Sequence, residues 1–249
     1  MFAGPVNAIT NGSPDGNNHP DVCLIVFDDA TGPAWRASGI VLTPWVVLTA
    51  GHATDGAVAA RVWTDEKVQG NPEYPFSGTT SYDGTPITNP DYMSPFWHGL
   101  NGFITHDVGV VVLSEPIILS EYGKLPTPDQ SRSLRVGDWV NFVGYGVQVN
   151  LRGGGPPQWV GLKNRLYAPG QLLSKNFAIS PEFLRVSANP GQGKGGTAFG
   201  DSGGPVLMAG TDTVLAVTSF GTNNNCAGTG YYYRIDQPEI LAWIQGFLA

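Results

Sequence analysis

The chain has 249 residues, with 34 Gly, 20 Pro and a hydrophobic fraction of 41%, so it is rich in turns but can still form a core. Charged residues make up only 13% of the chain, which excludes disorder for most of its length. The net charge of −7 argues against binding to nucleic acid or to an anionic membrane surface, and no run approaches the roughly 18 apolar residues of a transmembrane helix.

Short β-type segments follow one another along the chain. They are rich in Val, Ile and aromatic residues and are bounded mostly by Gly, Pro, Asn or Asp, a pattern typical of strands and turns. In chain order the predicted strands are Val22–Phe27, Gly39–Leu42, Val46–Thr49, Val58–Trp63, Val108–Leu113, Trp139–Val143, Phe183–Val186, Pro205–Met208, Val214–Ser219 and Tyr231–Ile235. Their spacing is too short and irregular for βαβ units, so we predict an all-β sandwich or barrel.

Three segments lack this strand pattern. Asp65–Gly102 is rich in Gly, Pro, Asn and Tyr and is predicted to be a long surface excursion. Gly123–Leu134 is polar, contains two Pro and is predicted to link two halves of the chain. Asn150–Gln158, which includes three consecutive Gly and two Pro, is predicted to be a loop.

One helix is predicted, at the carboxyl end of the chain. Asp236 is the candidate N-cap, Pro238 suits the first turn, and Glu239 completes a capping box. The apolar residues that follow lie on one helix face; they are Ile240, Leu241, Ile244 and Leu248.

Neither the start of the chain nor its cysteines strongly indicate the cellular compartment of the protein. The first basic residue is Arg36, so the basic start of a signal peptide is absent. Removal of a leader and a cytosolic location both remain open. Cys23 and Cys226 allow one bridge at most, and we predict two separate thiols. No cysteine spacing indicates a metal site.

Three segments carry residues with catalytic chemistry. An apolar strand ends at His52, Asp107 directly precedes another apolar strand, and Ser202 is flanked by glycines in Gly200–Pro205. A serine hydroxyl becomes nucleophilic when a neutral imidazole accepts its proton, and the imidazole in turn needs a buried carboxylate to hold its tautomer. The chain order of His, Asp and Ser is one of the orders in which this triad occurs.

The glycines around Ser202 have a physical use. A backbone that aims consecutive N–H groups at one point must turn sharply, often with positive φ. The amides of Gly200 and Ser202 are therefore predicted to converge on a developing oxyanion. Asp201 is poorly placed to orient the histidine and, if buried, needs a cationic or N–H partner of its own.

Together these motifs resemble the chymotrypsin/trypsin-like serine protease family, from about Ile9 to Ala249. The residues that carry the resemblance are Thr49-Ala50-Gly51-His52, Asp107 before its strand, and Gly-Asp-Ser-Gly-Gly-Pro at 200–205. Secondary similarities are Ile9–Gly12 to the mature N-terminus, Gly144–Gly146 to the start of the second barrel, and Ser219–Gly221 to a segment lining the substrate cleft.

The resemblance implies two antiparallel six-stranded β-barrels with a C-terminal helix and the site in the cleft between the barrels. It divides the chain into an N-terminal extension (1–8), a first barrel with His52 and Asp107 (9–122), a linker (123–134), a second barrel with Ser202 (135–235) and the helix (236–249). It implies a secreted, monomeric serine endopeptidase that acts on polypeptides through an acyl-enzyme and needs no cofactor and no metal.

Residue roles also follow from the resemblance. His52 is the expected base, Asp107 the acid that orients it, Ser202 the nucleophile, and the amides of Gly200 and Ser202 the oxyanion hole. Ser219 is expected to hydrogen-bond Asp107. The resemblance also implies that a new amine at Ile9, formed by cleavage after Ala8, inserts beside Asp201 and raises activity.

Substrate preference is predicted from the same alignment. The specificity pocket is expected to have Gly196 at its base with Thr197 beside it; its walls are expected at Ser219, Phe220, Gly221 and Gly230. No acid lies at the base, so an Arg or Lys side chain would be buried unpaired there. Thr218 lies where glutamate-specific members usually have His. We therefore predict cleavage after Phe, Tyr, Leu or Met.

The sequence departs from the family at its bridges and leaves alternatives open. Ala37, Ala53 and Ala198 stand where members usually have bridge cysteines, and Cys226 lacks the partner it would have; loss during evolution in a reducing compartment and deliberate replacement are both open. The alternative functions are a catalytically silent homologue that binds a protein partner, and an esterase that uses the same triad.

The remaining candidate groups are predicted to be structural. His106 neighbours Asp107 on a strand and is expected to point to the opposite face, while His19 and His98 lie in loops without paired ligands. Asp28-Asp29 and Asp65-Glu66 are predicted to be solvated turns, with a weak calcium site as the alternative.

Overall fold

The computed structural model describes residues 9, 12–94, 104–147, 149–151, 158–174, 181–189, 193–221, 226 and 228–248. The extension 1–8, His98 and the glycine-proline run 153–157 lie outside them. The strands are β1 Ser13–Pro14, β2 Val22–Asp29, β3 Gly32–Thr43, β4 Val46–Thr49, β5 Ala59–Trp63, β6 Tyr82–Thr88, β7 Gly109–Leu113, β8 Trp139–Gly144, β9 Val149–Leu151, β10 Gln158–Val160, β11 Leu166–Ser174, β12 Phe183–Ser187, β13 Pro205–Met208, β14 Val214–Gly221 and β15 Thr229–Arg234. The helices are α1 Gly51–Thr54, α2 Pro238–Gln245 and a 3₁₀ helix over Gln130–Ser133.

The first barrel closes in the strand order β2-β3-β4-β7-β6-β5. Strand β2 is buried on both faces: Cys23 and Ile25 pack among residues of this barrel, whereas Val22 and Leu24 join a cluster that also contains residues of the second barrel. Because successive side chains of a strand point to opposite faces, burial on both faces explains why this strand reads as a continuous apolar run.

The second barrel closes in the order β8-β11-β12-β15-β14-β13, with β13 pairing back to β8. The short strand β1 adds to its edge through the pairs Ser13↔Tyr167 and Pro14↔Leu166. Ile9 is fully buried among apolar residues of this barrel. The segment that precedes the first barrel in sequence therefore packs on the second.

The predicted fold class is confirmed, since both sheets are closed antiparallel six-stranded barrels and a helix ends the described chain. The predicted surface excursion over Asp65–Gly102 is partly wrong, because β6 lies within it and closes the first barrel. Pro86 obscures this strand, as proline cannot donate to a strand ladder. It is tolerated because β5 pairs with β6 only as far as Gly84 and β7 pairs beyond it.

Two further expectations need correction. The predicted loop over Asn150–Gln158 begins and ends in strands β9 and β10, which pair with each other. Asp236 does not cap helix α2: the N-cap is Gln237, which makes no side-chain cap. The Asp236 carboxylate is instead fully buried and accepts the N–H groups of Ser131 at 2.6 Å and of the Arg234 guanidinium at 2.9 Å.

A buried polar cluster joins the two barrels to the N-terminal segment. Arg165, at the start of β11, is fully buried and donates to the Asp15 carboxylate at 2.9 Å. It also donates to the carbonyl oxygens of Val22 and Thr64 in the first barrel, each at 2.9 Å, and to the Tyr145 hydroxyl at 3.1 Å. One guanidinium thus connects three parts of the chain.

Among the helices of the described residues, none has the length and apolar character that a membrane span requires.

Candidate active site

The pairing of β4 with β7 brings His52 to Asp107. Thr49 is the last residue of β4 and lies opposite Gly109, the first paired residue of β7. Helix α1 starts two residues after Thr49 and carries His52 in its first turn, while Asp107 lies two residues before Gly109. Two strand ends therefore place the imidazole and the carboxylate side by side, although 55 positions separate them in sequence.

The contact between these two side chains is direct. The His52 ring nitrogen Nδ1 lies 3.0 Å from Oδ2 of Asp107 and 3.1 Å from Oδ1. The backbone N–H of His52 donates to Oδ1 at 2.8 Å, and the Ser219 hydroxyl donates to Oδ2. Asp107 is fully buried, whereas the His52 side chain is 26% exposed. With Nδ1 turned to the acid, the other ring nitrogen is free to face a substrate.

Burial and pairing act against each other on both groups. Burial alone would raise the pKa of Asp107, but the charge of His52 and the hydrogen bonds from His52 and Ser219 hold that pKa below its usual value. Burial alone would lower the pKa of His52, but the charge and hydrogen bond of Asp107 raise it above 6.5. The pair therefore favours an ionised carboxylate that stabilises an imidazolium.

The turn that carries Ser202 is held between the two barrels. The Ser38 amide of β3 donates to the Ser202 carbonyl at 2.9 Å, and the Gly203 amide donates to the carbonyl of Thr218 in β14 at 2.9 Å. Gly203 has φ +74°, and a β-carbon there would lie 2.0 Å from the Thr49 Oγ1 atom. Only glycine suits this position, because side chains are disfavoured at positive φ and there is no room for one.

His52 and Ser202 line the same cavity, which has a volume of about 450 Å³. Its other lining residues are Thr197, Ala198, Phe199, Thr218, Ser219, Phe220, Gly221 and Cys226. The structure thus brings His52 and Ser202 to one cleft. Asp107 is buried behind His52, where it accepts the hydroxyl of Ser219, a residue of the cavity wall.

The predicted oxyanion-hole amides lie in the same turn. Gly200 has φ +93°, and a β-carbon on it would lie 3.1 Å from the Gly146 Cα atom. Within the described part of the chain, the N–H groups of Gly200 and Ser202 donate no hydrogen bond. These two N–H groups lie on either side of Asp201 in the sequence and are the candidate donors to a substrate oxygen.

Comparison with known proteins identifies the family of this chain. The family model described as Trypsin matches residues 12–244. The chain belongs to the trypsin family. Two curated Drosophila melanogaster proteins, Serine protease 1 and Serine protease 2, are each 22% identical over 243 residues, covering 96% of this chain and 83% of each relative.

A solved structure titled HL collagenase has the same fold, with a TM-score of 0.72 at 16% identity, over 98% of this chain and 97% of that one. The predicted family is confirmed by the match to the Trypsin family model. As a member of the trypsin family, the chain is a serine endopeptidase that acts on polypeptides.

Asp201 has N–H partners, as its burial requires. It is fully buried, its Oδ1 atom accepts the Gly146 amide at 2.8 Å, and its Oδ2 atom accepts the Ala198 amide at 2.8 Å. The backbone N–H of Ile9 also reaches it. Burial nevertheless raises the pKa of Asp201 to about 6, because neutral amides compensate a buried charge only in part.

Four of the six predicted pocket residues line the cavity: Thr197, Ser219, Phe220 and Gly221. Gly196 and Gly230 are not among its lining residues. Gly230 instead packs under Tyr232, whose hydroxyl would lie 2.3 Å from an added β-carbon and which contacts the Thr197 hydroxyl at 3.1 Å. Sequence reasoning missed Tyr232, although a strand places it on the same face as Gly230. It also missed Phe199, which is half exposed at the cavity rim.

Both cysteines are free thiols. Cys23 is fully buried in the first barrel. Cys226 is half-buried, lines the cavity with Ala198, and its thiol lies beside the backbone of Phe199. Burial raises the pKa of the Cys226 thiol, so it is a poor nucleophile at neutral pH.

Proposed function

We propose that His52, Asp107 and Ser202 are the catalytic triad of this endopeptidase. The main support for the proposal is the pair of contacts from His52 Nδ1 to the buried Asp107 carboxylate. The same histidine lines one cavity together with Ser202. A neutral imidazole held in this way presents its second nitrogen as a base.

The reaction follows from these positions. Ser202 Oγ attacks the substrate carbonyl carbon while His52 takes the hydroxyl proton, and the oxyanion is bound by the amides of Gly200 and Ser202. The intermediate collapses when His52 donates that proton to the leaving amine, which leaves an ester on Ser202. Water then attacks the ester carbonyl while His52 takes a proton from the water. His52 returns that proton to Ser202 Oγ as the bond from Oγ to the acyl group breaks, which releases the acid and restores the serine hydroxyl.

We propose that the cavity binds a large apolar side chain before the scissile bond. Its volume of about 450 Å³ and the lining residues Phe220 and Gly221 support this, and no atom lies within 4 Å of where a Gly221 β-carbon would be. No carboxylate lines the cavity, so an Arg or Lys would enter without an ionic partner.

The assignment is tested with a fluorophosphonate probe and a peptide library. Covalent labelling at Ser202 that disappears in Ser202→Ala is the expected result, with cleavage mainly after Phe, Tyr, Leu or Met. Labelling without peptide cleavage but with ester turnover would show an esterase. Absence of both labelling and turnover would show a silent homologue, and cleavage after Arg or Glu would refute the proposed preference.

We propose that cleavage before Ile9 increases activity. The Ile9 amide already reaches the Asp201 carboxylate, which has no ion pair in the described residues and whose pKa is raised to about 6. A free ammonium at Ile9 would supply the missing charge and order the adjacent turn of Gly200 and Ser202. We expect a higher kcat/KM for a chain that starts at Ile9; equal values for trimmed and longer chains of verified mass would refute this.

The proposed function also includes a location and an oligomeric state. Secretion and a monomeric state are inferred from membership of the trypsin family. Fractionation of the source culture and light scattering of the purified protein test them. Retention of the protein inside cells, or a dimer mass, would contradict the respective inference.

A further inference from the structure

The side chain of Arg36 lies against the turn that carries Ser202. Arg36 is half-buried in β3, two residues before Ser38, whose amide donates to the Ser202 carbonyl. A β-carbon added at Gly161 would lie 2.0 Å from its Nη2 atom, and one added at Gly200 would lie 3.5 Å from its Nε atom. The guanidinium therefore occupies a space between these two glycines, next to the predicted oxyanion hole.

No Asp or Glu side chain pairs with this guanidinium. All 20 Asp and Glu residues of the sequence lie within the described residues. Their ion pairs are formed with His19, His52, Arg61, Lys124, Arg132, Arg165 and Arg234. Arg36 has no ion pair and donates no side-chain hydrogen bond in this part of the chain. A half-buried guanidinium with unused donors is a strong site for a carboxylate.

Asp201 is near Arg36 but does not neutralise it. The charge of Arg36 lowers the pKa of Asp201, although burial has the larger, opposite effect. The Asp201 oxygens, however, accept the amides of Gly146 and Ala198, and neither oxygen accepts an N–H of Arg36. The donors of Arg36 thus remain available on the outer side of the turn.

A second cation adds to this potential. Burial and the charge of Arg36 both lower the pKa of Lys163, so the two side chains lie within electrostatic reach of each other. The Lys163 ammonium donates to the Gln69 side-chain oxygen at 2.9 Å and lies 5.0 Å from the centre of the Tyr74 ring. It has no carboxylate partner among the described residues. Two neighbouring cations without an acid attract an anion.

The position of Arg36 indicates which part of a substrate it meets. The cavity that takes the acyl side is formed by 197–199 and residues of β14, and Arg36 is not among its lining residues. Arg36 comes from the first barrel and lies against Gly200 from outside the cavity. Since the acyl side fills the cavity, the leaving-group half of the peptide must pass Ser202 on the other side.

We propose that Arg36, assisted by Lys163, binds a carboxylate in the first two residues after the scissile bond, and so selects substrates with an acidic leaving-group segment. The proposal rests on the proposed function, because it takes the cavity as the acyl side. The carboxylate has two possible sources, an Asp or Glu side chain and the free carboxyl terminus of a short leaving peptide.

Matched peptides test this proposal. All share one large apolar residue before the scissile bond and carry either Glu or Gln at the second position after it, with an amidated end; a third peptide has Gln and a free terminal carboxylate two residues after the bond. We expect kcat/KM to be about tenfold higher for Glu than for Gln, the order of one charge-assisted hydrogen bond. A similar gain for the third peptide would identify the terminal carboxylate as a source.

The ratio of kcat/KM for the Glu peptide to kcat/KM for the Gln peptide is measured in the wild-type protein and in variants. A general loss of activity in a variant lowers both values and cancels in this ratio. The Glu/Gln ratio should fall to about one in Arg36→Met and be partly retained in Arg36→Lys. Arg135→Met, which removes an exposed arginine outside the cavity, should keep the wild-type ratio. Equal rates for the paired peptides in the wild-type protein, or a preference that survives in Arg36→Met, would overturn the proposal.

Binding to Ser202→Ala separates this proposal from the catalytic one. Fluorescence anisotropy of labelled peptides needs no turnover, so it applies even if the probe fails to label Ser202. Tighter binding of the Glu peptide that is lost in Ser202→Ala/Arg36→Met supports the carboxylate site. Equal affinity of the Glu and Gln peptides for Ser202→Ala overturns it, while normal labelling of the wild-type Ser202 would leave the triad assignment intact.

Discussion

At the scale of single residues, the site depends on a buried carboxylate with several donors. Asp107 accepts the backbone N–H and ring nitrogen of His52 and the hydroxyl of Ser219. These contacts offset the cost of burying its charge and hold the imidazole in the tautomer with hydrogen on Nδ1. The orientation of His52 and its basicity therefore have the same origin.

Replacing Asp107 with Asn should remove this control while preserving the shape of the side chain. An amide can hold the imidazole in the wrong tautomer, and we expect kcat to fall about 10⁴-fold, the cost known for this change in the serine-protease triad. Steady-state kinetics on a peptide substrate, with circular dichroism as the control for folding, measures the effect. A loss smaller than tenfold would contradict the role assigned to Asp107.

The pH dependence of activity should follow the protonation of His52. Burial lowers the pKa of His52, but the charge of Asp107 and its hydrogen bond together outweigh burial and raise the pKa above 6.5. Only the neutral ring can accept the Ser202 proton, so kcat/KM should fall about tenfold per pH unit below this raised pKa. An acid limb centred below pH 6.5 in the kcat/KM profile would contradict the expected shift.

Ser219→Ala should move the same limb. Without this hydroxyl, the negative charge of Asp107 is less neutralised and acts more strongly on His52, so the limb should shift to higher pH and kcat should fall by about tenfold. Ser133→Ala, at an exposed serine outside the cleft, is the matched control. An unchanged profile in Ser219→Ala would show that the hydroxyl has no part in setting the basicity of His52.

At the scale of elements, the turn before β13 determines where the serine lies. It is pinned to β3 on one side and to β14 on the other, and its glycines allow positive φ and close approach. Gly203 and Gly210 allow the effect of positive φ to be separated from the effect of close approach, because their φ values are +74° and +75°. A β-carbon added at Gly203 would lie 2.0 Å from Thr49 Oγ1, whereas one added at Gly210 would have no atom within 4 Å.

Gly203→Ala and Gly210→Ala therefore form a matched pair. Both should lose about 1–2 kcal/mol of unfolding free energy from positive φ, and Gly203→Ala should lose at least about 2 kcal/mol more because the turn must move. Only Gly203→Ala should also reduce kcat. Equal urea midpoints and equal activities for the two variants would show that the turn can accommodate a β-carbon at Gly203.

At the scale of the whole molecule, the two barrels and the N-terminal segment are joined by Arg165. Its guanidinium is fully buried with Asp15, and its Nη1 atom donates to two carbonyl oxygens of the first barrel, those of Val22 and Thr64. The same N-terminal segment carries Ile9, whose amide reaches Asp201. The cluster thus connects the packing of the barrels with the backbone beside the turn that carries Ser202.

Arg165→Met should destabilise the protein by about 3–5 kcal/mol, because it leaves the buried Asp15 charge with only His19 as a charged partner and removes the donor to the carbonyl oxygens of Val22 and Thr64. Arg165→Met with Asp15→Asn should recover part of that loss. Arg132→Met, which removes a 70% exposed arginine paired with Asp129, should change the unfolding free energy by less than about 1 kcal/mol. Urea denaturation at pH 7 measures all three, and similar losses in Arg165→Met and Arg132→Met would contradict the buried role.

Local patterns were enough to predict the strand-rich architecture, the glycine turn at Ser202 and the candidates His52 and Asp107, because each of these signals lies within a few neighbouring residues. The contacts between them could not be read in the same way. That His52 meets Asp107 depends on the register of β4 against β7, and β6 was hidden by a proline that only its partial pairing permits.

What the sequence by itself determined is the set of chemical groups: a base, an acid, a nucleophile and the glycines that let the backbone turn. Tertiary structure alone decided which groups are paired and which are left unpaired. Asp236, predicted to cap a helix, is a buried partner of Arg234, and Arg36 lies without an acid beside the turn that carries Ser202. The reason is physical: burial and charge pairing depend on distances between distant parts of the chain, which closure of the two barrels sets.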